Sequence, residues 1–72
     1  MRLSELQSKD IITIDGRSIG TIIDVIINNG KVESLVVEKN KMFVSMFSSK
    51  NEIEVKWNNI KTIGDDVILV EL

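Results

Sequence analysis

Residues 19–39 read IGTIIDVIINNGKVESLVVEK, two β-rich runs joined by Asn28-Asn29-Gly30-Lys31. Asn-Gly between apolar runs is a strong hairpin signal, because a two-residue turn needs positive φ at both central positions, and Asn and Gly reach it at least cost. The first run alternates imperfectly. Ile19, Thr21, Ile23, Val25 and Ile27 fall on one side, and Gly20, Ile22, Asp24 and Ile26 on the other. Neither side is cleanly polar, so the run is buried on both faces or breaks register. A β-bulge near Asp24 would turn Ile22 and Val25 the same way. Gly20 suits a bend or a close backbone approach. In the second run Leu35 and Val37 share a face, flanked by Glu33 and Lys39.

Moving outward, Asp10 to Ile14 predicts a short strand and Asp15-Gly16-Arg17-Ser18 a turn. Ahead of them, Ser4 and Gln7 have the spacing of a capping box, and Leu3 and Leu6 fall on one face of a helical turn. That turn plugs one end of a sheet or offers a docking motif. Downstream, Glu52 to Trp57 alternates cleanly, with Ile53, Val55 and Trp57 against Glu52, Glu54 and Lys56. Ile60 and Ile63 resume an apolar spacing, Gly64-Asp65-Asp66 is a turn, and Val67 to Leu72 is a closing strand, buried or at an edge.

Composition agrees. The chain has 72 residues, enough for one domain over 1–72. It holds twelve Ile, eight Val and three Thr but no Ala, which favours a pleated sheet over helices. A chain of this size buries only about 60% of its unfolded surface. There is no Cys and no His, so a disulfide scaffold and an ordinary zinc site are excluded. Net charge is −2 with no basic cluster, which removes the electrostatic footprint of a nucleic-acid binder. No apolar run reaches the roughly 20 residues that span a bilayer, and no signal peptide opens the chain, so the expectation is a cytoplasmic protein. Sequential strands with short turns favour an all-β, mostly antiparallel meander that curls into a small barrel and limits exposed edges.

A family resemblance runs through the same residues. Met1-Arg2-Leu3-Ser4-Glu5-Leu6 opens it, and Gly20-x-Ile22-x-Asp24-Val25 leads to Gly30-Lys31-Val32-x-x-Leu35-Val36-Val37. Ile53-x-Val55-x-Trp57-x-x-Ile60-x-x-Ile63-Gly64-x-Asp66-Val67-Ile68-Leu69-Val70 closes it. Together they resemble the short, stand-alone PRC-barrel proteins of the YlmC/YmxH type. The resemblance implies a barrel of about five or six mostly antiparallel strands. It also implies a docking role without chemistry: related barrels sit in the photosynthetic reaction-centre H subunit and in the ribosome-maturation factor RimM, and the stand-alone branch carries a sporulation label. A fold shared by such different hosts warrants no single function.

The segment Asn40 to Asn51 (NKMFVSMFSSKN) holds both Phe residues and two of the three Met residues. Met42, Phe43, Val44, Met46 and Phe47 are either a strand packing on the core or a soft apolar surface for a partner or a second copy. In relatives this segment is richer in Trp, Phe and Gly and is followed by Arg; here the apolar part remains and most of the charge is gone. That departure weighs against nucleic acid, although a Lys face built from Lys39, Lys41, Lys50 and Lys56 would support an RNA- or ribosome-associated role.

No constellation points to catalysis, a cofactor or a metal. Glu52 and Glu54 share a wet strand face, and Asp65-Asp66 lies in a turn that supplies too few oxygens for calcium. Ser45, Ser48 and Ser49 have no His to activate them. Asp24 is a metal ligand or ion-pair anchor, or it caps a bulge or pairs with Arg17 or a Lys; a carboxylate in an apolar run needs such partners. Trp57 is a core edge or barrel plug, or a ligand-stacking surface. Gly20, Asp24, Gly30 and Trp57 are read as structural, and the function expected is a non-enzymatic, self-associating docking module.

Overall fold

The computed structural model describes residues 1–40 and 51–72. Its elements are α1 (Leu3–Gln7), β1 (Asp10–Thr13), β2 (Ser18–Asn28), β3 (Lys31–Lys39), β4 (Glu52–Lys56), a 3₁₀ turn (Trp57–Asn59), β5 (Ile60–Ile63) and β6 (Val67–Val70). The six strands form one sheet in the order β4-β3-β2-β1-β6-β5. All pairings are antiparallel except β1 with β6, which run parallel.

β1 to β4 follow the expected meander; β6 departs from it. The last strand lies between β1 and β5, with Ile11 beside Ile68 and Thr13 beside Val70. Burial drives this placement, since Ile11, Ile68 and Val70 are fully excluded from solvent. Among the described residues the sheet does not close by a ladder, because β4 and β5 are its two edges. Only the residues Trp57–Asn59 separate those strands in the chain. Edges of a flat six-stranded sheet would stand about 24 Å apart, beyond the reach of so short a link. The sheet therefore curls until its edges meet through a covalent corner.

Four register shifts bend it. They fall at Ile11/Ile12 in the β1–β2 ladder, at Ile22/Asp24 and Ile26/Ile27 in β2–β3, and at Ile60/Thr62 in β5–β6. The shift before Asp24 leaves Ile23 opposite no residue, so Ile22 is buried while Val25 also packs on the core. Gly20 pairs with Ile11 on one side and Lys39 on the other. A Cβ there would lie 1.8 Å from the Glu38 carbonyl oxygen, so only glycine lets the two backbones cross. At the hairpin tip Asn29 has φ 53° and Gly30 φ 78°, which gives a two-residue turn with positive φ at both central positions.

The core is Ile11, Ile19, Ile22, Leu35, Val37, Val55, Ile68 and Val70, with Leu6, Val25, Ile53, Ile60 and Ile63 packed against it. Burial of each such side chain stabilises the fold by about 1.5–3 kcal/mol. α1 differs from its sequence reading. It starts one residue earlier than Ser4, and the Glu5 carboxylate accepts the Arg2 backbone N–H at 3.4 Å, so Glu5 rather than Gln7 makes the cap contact. Leu6 reaches the core, whereas Leu3 stays exposed.

Candidate docking surface

The described residues contain no group of three or more His, Cys, Asp or Glu placed to hold a metal ion. Asp24 is exposed at its bulge, and its Oδ1 accepts the Val25 backbone N–H at 2.8 Å. It forms no ion pair among the described residues, because the Arg17 guanidinium lies instead 3.4 Å from Asp15. The Asp65-Asp66 turn works through its backbone. The Asp65 carbonyl takes the buried Lys9 ammonium at 2.6 Å, and the Asp66 carbonyl takes the Asp10 N–H at 3.0 Å. Lys9 was not singled out from the sequence, since nothing local marks a lysine whose acceptor lies 56 residues away.

β4 offers the clearest surface. The Lys39 N–H donates to the Asn51 carbonyl at 2.6 Å, continuing the ladder in which Val37 faces Ile53 and Leu35 faces Val55. Antiparallel ladders alternate hydrogen-bonded and non-bonded pairs. The backbone groups of Ile53 and Val55 therefore point toward β3, and those of Glu52, Glu54 and Lys56 point away from it, to an edge that no other strand among the described residues pairs with. The side chains of the same residues make a polar cluster. The buried Ser34 hydroxyl donates to Glu54 Oε2 at 2.8 Å, and Lys56 Nζ lies 3.1 Å from that oxygen. The Ser34 hydrogen bond, and then Lys56, hold the Glu54 carboxyl below the ordinary carboxylate range, and Glu54 raises Lys56 above its ordinary value. Ser34 shows no sequence signal of this role, because only strand register brings it to Glu54.

One exposed apolar side chain follows this edge, and another lies on β2, two strands away. Trp57 follows β4 at the start of the 3₁₀ turn and is 39% exposed, so it is a surface residue more than a plug. Ile27, 65% exposed, stands opposite Val32 at the end of the long hairpin. A groove of about 470 Å³ lies elsewhere, between the β1–β2 turn and the chain end, lined by Thr13, Ile14, Asp15, Arg17, Val70, Glu71 and Leu72. The Thr13 hydroxyl donates to Asp15 Oδ1 and accepts the Arg17 N–H at 3.0 Å. The Thr13 hydrogen bond, helped by Arg17, lowers the Asp15 pKa. With two carboxylates and one guanidinium, the groove has no anion-binding character.

Met42, Phe43, Val44, Met46 and Phe47 lie outside the described residues, as do Lys41 and Lys50. Lys39 is only 8% exposed and Lys56 is paired with Glu54, so these two lysines do not build a cationic face. No helix among the described residues is long and apolar enough to cross a membrane.

The whole chain, residues 1–72, matches the PRC-barrel domain family. It is 36% identical over 73 residues to a protein named probable sporulation protein YlmC of Bacillus subtilis, covering 97% of this chain and 90% of that protein. It is 37% identical over 71 residues to an uncharacterized protein of Clostridium acetobutylicum, covering 94% of this chain and 80% of the other. It is 32% identical over 77 residues to the uncharacterized protein YmxH of Bacillus subtilis, covering 100% of this chain and 89% of that one. Similarity that runs end to end, on a curled sheet of six mostly antiparallel strands, makes this chain a member of the PRC-barrel domain family.

Proposed function

We propose that this chain is a non-catalytic docking module that self-associates and serves a sporulation-associated process in the cytoplasm. The observation that carries the reading is the β4 edge, where the backbone of Glu52, Glu54 and Lys56 faces outward beside a half-exposed Trp57. Open edges beside apolar surface are where sheets accept another strand. Similarity to a probable sporulation protein supports the process. The sequence chemistry of Met42, Phe43, Met46 and Phe47 supports a partner surface as well, since Met and aromatic side chains suit adaptable interfaces.

The shifted groups support a role without chemistry. Asp15 and Glu54 are moved down and Lys56 up, all away from the near-neutral pKa that acid–base catalysis uses. The ribosome-associated alternative draws no support from Lys39 or Lys56, one buried and the other ion-paired. Sedimentation equilibrium over a wide concentration range tests the reading, with a reversible dimer expected. Capture from sporulating and vegetative cells, comparing wild type with Phe43→Ser/Phe47→Ser, tests the docking part. A strictly monomeric chain whose partner recovery is unchanged by that variant would refute both uses.

A further inference from the structure

We propose that self-association runs through β4, with two copies pairing this strand antiparallel about a two-fold axis at Val55. The inference rests on the self-associating reading above and assigns its surface. Residues 52, 54 and 56 present their backbone N–H and C=O groups to the edge, so intermolecular hydrogen-bonded pairs must be drawn from them. Two copies of one strand pair symmetrically, and each register is defined by the residue on the axis.

Charge selects among the registers this parity allows. An axis at Glu54 matches Glu52 with Lys56 twice but sets two Glu54 carboxylates opposite each other at its centre. An axis at Ile53 sets Glu52 against Glu54 twice, and an axis at Lys56 sets two ammonium groups together. The axis at Val55 sets Glu54 of each copy against Lys56 of the other, with no like-charge pair. Like charges directly opposite destabilise a ladder and opposite charges stabilise it. The same register places Ile53, half-buried, opposite Trp57, which is 39% exposed in the isolated chain. Glu54 and Lys56 already lie 3.1 Å apart within one copy, so pairing produces an alternating cluster of four charges flanked by Ser34. Charged residues commonly guard a sheet edge against pairing. Here their order guards against other strands and matches a second copy.

The test is a charge swap read by sedimentation equilibrium, with circular dichroism confirming that each variant is folded. Glu54→Lys sets ammonium groups against each other, and Lys56→Glu sets carboxylates against each other. Each is expected to weaken the dimer by about tenfold or more, from two reversed cross-strand pairs. The double variant Glu54→Lys/Lys56→Glu restores complementarity and is expected to regain the dimer. A wild-type dimer indifferent to both single changes would overturn the β4 register and leave self-association standing. A wild-type monomer at every concentration would overturn both.

Discussion

Gly20 and Glu38 cross so closely that a Cβ on Gly20 would lie 1.8 Å from the Glu38 carbonyl oxygen. The contact falls where β2 bends between β1 and β3, so neither backbone has room to retreat. Gly20→Ala is expected to cost on the order of 3 kcal/mol, which for a domain this small lowers Tm by roughly 15 °C. Thermal unfolding followed by circular dichroism checks it, and an unchanged Tm would contradict the close crossing.

The hairpin glycine gives a contrast. A Cβ on Gly30 would meet nothing within 4 Å, so Gly30→Ala carries only the strain of its φ of 78°. The expected loss is about 1–2 kcal/mol, less than for Gly20→Ala. Asn29→Gly, at φ 53°, is expected to be close to neutral. Denaturant midpoints of the three variants, compared with wild type, test the order.

Thr13 ties the β1–β2 turn by donating to Asp15 and accepting from the Arg17 N–H. Thr13→Val removes both bonds while keeping the shape, and loss of the bond to the Arg17 amide is expected to cost about 1 kcal/mol. The Asp15 carboxyl should then titrate higher than in wild type, because its principal stabilising contact is gone. Carbon-detected NMR titration of Asp15 measures the shift; an unmoved carboxyl would assign the effect to Arg17 alone.

Glu54 sets a pH dependence at the other edge. Its folded pKa lies below the ordinary 4.5, so its contribution to stability is present above that value and lost as pH falls through the folded pKa. Lys56 lies above 10.5 when folded, so its contribution is present below that value and lost as pH rises through the folded one. Stability from this pair is expected to be level through neutral pH and to fall on the acid side. Ser34→Ala should raise the Glu54 pKa toward 4.5 and so shorten the acid limb, its lower end moving up, since the Ser34 hydrogen bond is the largest cause of the shift. Unfolding midpoints between acid and neutral pH would show whether the limb moves.

Local signals made much of the fold legible. Asn29-Gly30 specifies its own turn through backbone preference, and the alternation of Ile53, Val55 and Trp57 marks a strand wherever the rest of the chain lies. Those signals carried the β class, the strands and the end-to-end likeness to the PRC-barrel family. They raised Gly20 and Asp24 as special positions without naming what each touches. The partner surface expected at 42–47 lies outside the described residues, and the surface proposed here uses a strand first read only for its wet face.

Sequence alone thus determined the hairpin, the strand content and the absence of Cys and His, because these depend on residue type and near neighbours. Tertiary structure decided that β6 lies parallel to β1, that Glu38 crowds Gly20, and that Ser34 meets Glu54. Each of those joins residues well separated along the chain. It exists only because burying Ile11, Leu35, Val55 and Ile68 together fixes one register among many that the local pattern permits.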